Sequence, residues 1–315
     1  MEVFITGGSG YIGRAVVREL VRTGHRVTAL ARSPERAALL ERLGAMPWRG
    51  SLRNLPARAE SLVAYDCLMH LAYDYGASHA AKEADADTLM AFLMGARLRD
   101  SPSAIIYTSN ALLLAGSMAL PVYEDAPFPE ALSRNRCGDA AWRPGHEEIV
   151  LAAATDVIAT AVIRVGVVYG GADQNVSDMF ESARHTGAAR YVGTGQNRWS
   201  LIHRDDLAAL YRTVAERRAR GVFHGVDGLA LTVEGVARGA SMAAGTKGKT
   251  LSTPIAEARK TIGTFADVKC LDVVIGERRG VEIGWRPSRP SFIKAAAAAY
   301  KEWVVAVASA ENAPV

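Results

Sequence analysis

Glycines at positions 7, 10 and 13 close an apolar run, Val3-Phe4-Ile5, and open an amphipathic one that carries Ile12, Ala15, Val16 and Leu20. Glycines at this spacing let a backbone turn sharply and approach a pyrophosphate, while the helix that follows presents unpaired N–H groups and the positive end of its dipole. The chemistry implied is capture of a dinucleotide, because the triplet ends a strand and starts a helix as that motif requires. The alternative is a tight strand-to-helix turn without a ligand. About twenty residues on, an NAD site places an acid for the ribose 2′-hydroxyl. Here the chain reads Ala31-Arg32-Ser33-Pro34-Glu35-Arg36. A guanidinium matches a phosphate in charge and in its forked donors. Arg32, Ser33 and Arg36 therefore favour NADP(H) over NAD(H), the alternative being that both arginines are solvated surface charges.

The elements that must hold these residues follow from the hydrophobic pattern. After the first helix, 25–31 reads as a strand, 34–43 as a helix and 45–49 as a short strand. Asp66-Cys67-Leu68-Met69-His70-Leu71-Ala72 is a buried-type strand, 78–99 a long helix, 103–108 a strand, and 157–168 another that ends in Tyr169-Gly170-Gly171. Continuous apolar strands alternating with helices imply an α/β fold with a doubly wound parallel sheet covered on both faces. Beyond Gly170 the pattern shortens: a helix near 176–185, a strand near 190–192, a helix at 206–218, and Gly221 to Val226 as a strand returning to the main sheet. The expected organisation is a dinucleotide-binding domain over 1–169, with returning segments near 189–228. A smaller C-terminal α/β substrate lobe is drawn from 170–188 and 229–315 and roofs the carboxyl ends of the strands.

Composition bounds the function class. A chain of 315 residues, 49% hydrophobic and 22% charged, suits one or two buried cores, and a net charge of +4 spread over helix faces gives no case for nucleic-acid binding. No apolar stretch approaches the roughly 18 residues needed to span a bilayer, and no basic leader precedes the first strand, so the expectation is a cytoplasmic protein with no membrane partner. Cys67, Cys137 and Cys270 have no zinc-type spacing, and no metal is expected.

Taken in order, several segments carry a family resemblance: Thr6-Gly7-Gly8-Ser9-Gly10-Tyr11-Ile12-Gly13, His70-Leu71-Ala72, Tyr107-Thr108-Ser109, Arg164-Val165-Gly166-Val167-Val168-Tyr169-Gly170, Trp199 to Ala208, and Gly284-Trp285-Arg286-Pro287. The chain resembles the extended short-chain dehydrogenases/reductases, the NAD(P)-dependent epimerase/dehydratase group, over nearly its whole length. The resemblance implies a Rossmann fold. It also implies that Gly7, Gly10, Tyr11, Ile12 and Gly13, the backbone at Leu71-Ala72, and Val165 line the cofactor, with Ser51-Leu52 near its adenine. Tyr73, Trp199 and His203 would face substrate, although His203 with Asp206 could equally cap and pin the following helix. Relatives often dimerise through the helices here near 78–99 and 144–154, so a homodimer is an expectation by analogy.

The chain departs from that family at the catalytic centre. The family uses a serine or threonine after the fifth strand and a tyrosine with a lysine four residues on, the cation lowering the pKa of the tyrosine. Between Glu83 and Thr246 there is no lysine, and between Glu124 and Val168 no tyrosine. Alignment puts Asp139 in the tyrosine position and Arg143 in the lysine position, and Asn110, one residue after Ser109, where the hydroxyl usually sits. An amide can donate to a substrate oxygen but cannot be the acid. Pro144 predicts a helix that begins at itself and leaves Arg143 on the incoming loop. Replacement acids or bases to be weighed are His146, Asp139, Glu147, Tyr73, Tyr75 and Tyr123, while Tyr107 reads as core. Arg143 could bond ribose hydroxyls or simply pair with Glu147. The expectation is an NADP(H)-dependent oxidoreductase acting on a small or medium organic carbonyl or alcohol. Alternatives are a redox-neutral isomerase, epimerase or lyase, and a non-catalytic NADP(H)-binding regulator.

Overall fold

The computed structural model describes residues 1–73, 78–117, 119–129, 141–172, 175–289 and 291–311. Its strands in chain order are β1 (Glu2–Thr6), β2 (Arg26–Ala31), β3 (Met46–Arg49), β4 (Cys67–His70), β5 (Ser103–Asn110) and β6 (Ile158–Val165). They continue with β7 (Val167–Tyr169), β8 (Ala189–Val192), β9 (Arg198–His203), β10 (Gly221–Gly225), β11 (Ala230–Thr232) and β12 (Thr250–Thr253). Seven of them form one parallel sheet in the order β10-β6-β5-β4-β1-β2-β3. The continuous apolar runs have their reason here, since β6 is buried at every position and a sheet clad on both sides leaves no wet face.

Alternation along the strands separates the two faces. Val3, Ile5, Ile106 and Ile163 pack with Val16 and Leu20 of α1 (Tyr11–Arg22) and with Leu207 and Tyr211 of a later helix, Arg204–Glu216. On the opposite face Phe4, Leu68 and Ile105 meet Phe92 of the helix Ser78–Arg97, while Tyr107 and Val162 meet Leu89 of the same helix and Val150 of Arg143–Ala152. With α2 (Pro34–Arg42) placed between β2 and β3, these become α3 (Ser78–Arg97), α4 (Arg143–Ala152), α5 (Val176–Thr186) and α6 (Arg204–Glu216). The strand order reverses between β1 and β4, where Thr6 and His70 stand in register as the last residues of their strands. Ligand crevices of open α/β sheets form at such a switch point.

A second core gathers Phe180 of α5, Trp199 of β9, Ala237 of α7 (Val233–Ala243) and Phe292 and Trp303 of the C-terminal helix Phe292–Glu311. Two expectations change. Of the span 189–228 only β10 joins the main sheet; β8 pairs with β12, and β9 lies between β7 and β11. The exposed side chain of Arg190 suits a small solvent-edged sheet better than a buried one. The fourth helix starts at Arg143, not at Pro144. Its guanidinium donates to the Thr108 carbonyl at 2.6 Å and lies over the rings of Tyr73 and Trp142, contacts that override the local bias of a residue before proline. No helix among the described residues is long and apolar enough to cross a membrane.

Candidate functional site

The glycine loop is built for close approach. Gly7 has φ +76°, a conformation open to glycine at little cost, and a Cβ there would lie 2.5 Å from the Ala72 nitrogen. A Cβ on Gly13 would collide with the Gly7 carbonyl. The loop therefore lies directly against the Leu71-Ala72 backbone, with Leu71 N–H donating to Thr6 O at 3.1 Å. Gly10 is the N-cap of α1 and supplies no side-chain cap, which leaves the first turn of that helix for an anion. Tyr11 reaches across to donate to the Gly170 carbonyl at 2.7 Å, and Ile12 packs on the core beneath.

Cations crowd the outer side of this loop. Arg36 donates to the Ser9 carbonyl at 3.2 Å, while Ser33 caps α2 and Arg32 stands exposed beside it. Half-buried Arg14 is pushed below the ordinary guanidinium range, first by burial and then by the positive fields of Arg204, Arg36 and Arg18. Arg204 is offset by Asp205 and Glu302 at 3.5 and 3.7 Å. Packing like charges together is unfavourable until an anion joins them. Ser51 and Leu52 follow β3, just past the hydrogen bond from Gly50 to the Ala31 carbonyl that ties the ends of β3 and β2 together. The residues present thus fit a dinucleotide, with basic groups on the outer side of the loop.

On the α3–α4 face lies a buried polar network. His146 Nδ1 is 2.7 Å from Asp85 Oδ2, and the Tyr107 hydroxyl donates to the same oxygen at 2.9 Å. His70 Nε2 approaches Asp85 Oδ1 at 3.1 Å without the alignment of a hydrogen bond, and its Nδ1 lies 2.6 Å from Thr6 Oγ1. Burial alone would raise the Asp85 pKa. The nearness of His70, the bond from His146 and the field of Arg143 outweigh it and hold the carboxyl well below its usual range. Burial pushes the Tyr107 phenol far up, and Asp85 adds to the rise against Arg143, so Tyr107 keeps its proton. Trp142 lies 4.7 Å from the His146 ring and stacks at 6.5 Å on Tyr73.

The other residues singled out in the sequence separate by environment. Ser109 is buried on the same face as Tyr107, and its Oγ has no hydrogen-bond partner among the described residues. Asn110 caps the turn after β5, its Oδ1 accepting from Leu112 N–H at 2.8 Å, so only its NH2 end remains for a ligand. Val165 ends β6 in register with Asn110. Glu147 does not pair with Arg143; it takes two bonds from Arg164, at 2.9 and 2.8 Å, in an ion pair whose members are 1% and 5% exposed. Tyr123 is covered by the Arg278 guanidinium at 3.4 Å and joins none of these groups. His203 caps α6 through Asp205 N–H and is pinned by Glu302 at 3.1 Å. Trp199 lines a separate cavity of about 290 Å³ with Met179, Tyr191 and Lys269. Asp139, Tyr75 and Cys137 lie outside the described residues.

Asp85 is the residue that sequence reasoning missed. Its signal was positional, for Leu89 and Phe92 follow at helical spacing on the buried face of α3. A carboxylate on that stripe must find donors inside the protein.

Comparison with known proteins agrees with this architecture. The model of the NAD dependent epimerase/dehydratase family matches residues 3–224. An uncharacterized protein of Schizosaccharomyces pombe, C2A9.02, is 27% identical over 311 residues, covering 93% of this chain and 97% of its own. A 4-hydroxy-2-methyl-3-oxo-4-farnesyl-3,4-dihydroquinoline-1-oxide ketoreductase of Stigmatella aurantiaca is 31% identical over 235 residues, 72% of this chain and 69% of that one. Among solved structures, the human epimerase family protein SDR39U1 with NADPH superposes with a TM-score of 0.74 at 21% identity, over 96% of this chain and 99% of that one. On the family match and this glycine-loop geometry, the chain belongs to the NAD dependent epimerase/dehydratase family.

Proposed function

We propose that this protein is an NADP(H)-dependent reductase of a small or medium organic carbonyl compound, running in reverse as an alcohol dehydrogenase, with His146 in place of the tyrosine–lysine pair. The observation that carries the reading is the His146 imidazole bonded to Asp85 at 2.7 Å beside Arg143, at the start of the helix where the pair is missing. The ketoreductase relative supports the reaction class. The arginines around Ser9 and Arg14 support the phosphate-bearing cofactor, because no carboxylate follows β2 until Glu35.

The glycine loop and the first turn of α1 would hold the pyrophosphate, and Arg36 with Arg32 would take the 2′-phosphate. When bound, the reduced nicotinamide supplies a hydride to the carbonyl carbon. Ser109 Oγ and the Asn110 amide donate to the carbonyl oxygen, stabilising charge as it develops. The His146 imidazolium releases its Nε2 proton to that oxygen, forming the alcohol O–H and leaving a neutral ring, which solvent recharges. The 1–169 segment serves as the nucleotide domain, and 170–188 with 229–315 shapes the substrate side.

The test is a spectrophotometric panel of aldehydes and ketones with NADPH and NADH. Substrate-dependent loss of the reduced-nicotinamide band, faster with NADPH, is the expected result. Nucleotide that binds and never changes oxidation state with any substrate would replace this reading with a redox-neutral one.

A further inference from the structure

A carboxylate accepts hydrogen bonds and donates none once ionised, so Asp85 dictates the protonation of everything around it. Both of its oxygens are engaged, and its side chain is 4% exposed. His146 must therefore carry hydrogen on Nδ1, and His70 on Nε2. His70 Nδ1 is then left as an acceptor, which the Thr6 hydroxyl satisfies at 2.6 Å. On one side the Thr6 hydroxyl bonds His70, whose Nε2 lies against Asp85 Oδ1 at 3.1 Å, and on the other His146 and Tyr107 donate to Asp85 Oδ2. Thr6 and His70 flank the switch point of the sheet, one residue before Gly7, so the carboxylate is braced against the floor of the nucleotide crevice.

We propose that Asp85 is a positioning residue for this reaction: clamped by His70 and Tyr107, it fixes His146 in the Nδ1–H tautomer and reserves Nε2 for proton transfer. The inference rests on the reading of His146 as the proton donor. When Nε2 also carries a proton, the ring is an imidazolium whose Nδ1–H faces the carboxylate at 2.7 Å. On transfer the Nε2–H bond breaks, the product O–H bond forms, and Nδ1 keeps its hydrogen throughout. Asp85 never accepts the proton, because its carboxyl stays ionised.

Nitrogen-15 spectra of the histidine side chains in the full-length protein near neutral pH read the tautomer directly, with His146 assigned by its loss in His146→Gln. The wild type is expected to show the Nδ1–H form. Asp85→Ala should move the neutral ring toward the Nε2–H form that a free histidine side chain prefers, and Asp85→Asn, whose amide oxygen still accepts, should lie between. In turnover, kcat should fall about 100-fold in Asp85→Ala and about 10-fold in Asp85→Asn, with NADPH affinity held within about twofold in both. A wild-type ring in the Nε2–H form overturns the proposal, as does an Asp85→Ala enzyme with unchanged kcat. Should Asp85→Ala not fold, the wild-type tautomer and Asp85→Asn decide the matter. Should no carbonyl be reduced at all, the function reading fails while the tautomer still tests the positioning claim.

Discussion

Replacing Arg36 by alanine separates what the arginine cluster does for the fold from what it does for the ligand. Arg36 makes one hydrogen bond to the loop, to Ser9 O at 3.2 Å, and is one of three arginines whose fields oppose the charge of Arg14. Without nucleotide its removal relieves repulsion, so unfolding stability should stay within about 0.5 kcal/mol of wild type or rise slightly. With NADPH bound, the variant loses a charge-assisted bond to phosphate worth about 1.5–3 kcal/mol, which is roughly 10- to 100-fold in Kd. NADH carries no 2′-phosphate and should bind within about threefold of wild type. Titration calorimetry with both nucleotides at low and moderate salt is the assay. The NADPH loss should shrink as salt rises, because an exposed cation is screened over a Debye length of about 10 Å at 0.1 M. Equal losses for the two nucleotides would refute the phosphate role.

Arg32→Ala, tested the same way, should also weaken NADPH more than NADH, since Arg32 stands exposed beside the capped start of α2. Gly13→Ala drives a methyl group into the Gly7 carbonyl, where no flexible side chain can yield, and should weaken either nucleotide by about 10- to 100-fold. Asp227, pushed up to about 7 by burial with the charge of Asp206 adding to it, binds more protons folded than unfolded between about pH 4 and 7. Its ionisation therefore lowers stability as pH rises through that window, by about 2–4 kcal/mol above pH 8. Asp227→Asn keeps the acceptor for Leu229 N–H and should raise the unfolding midpoint at alkaline pH while matching wild type below about pH 4. An equal effect at both pH values would contradict that assignment. Glu277, also pushed up to about 7, acts in the same direction, so the comparison is between variant and wild type at each pH.

Much of the fold is legible in local pattern because its signals are local. Strands such as β6 are buried at every position, and their mostly apolar runs mark a strand covered on both faces. The glycine loop is legible for the same reason: its demands on φ and on space fall within a few consecutive residues. The Asp85 network is not, since its members come from β1, β4, α3, β5 and α4, and Asp85 and His146 stand 61 residues apart. Nothing in the run Glu83, Asp85, Asp87 says which acid is buried until the neighbours of α3 are known. Arg143 misled through proline chemistry that holds for a free chain and yields to tertiary contacts with Thr108, Tyr73 and Trp142. Glu147 misled in the opposite way, for its spacing from Arg143 suits an ion pair, yet Arg164 on β6 claims it.

The most direct test of the central claim sets His146→Gln beside wild type, following carbonyl-dependent oxidation of NADPH and NADPH binding on the same preparations. The account predicts that kcat falls by about 100-fold or more while nucleotide affinity is kept. A His146→Gln enzyme that reduces the carbonyl at the wild-type rate would contradict it.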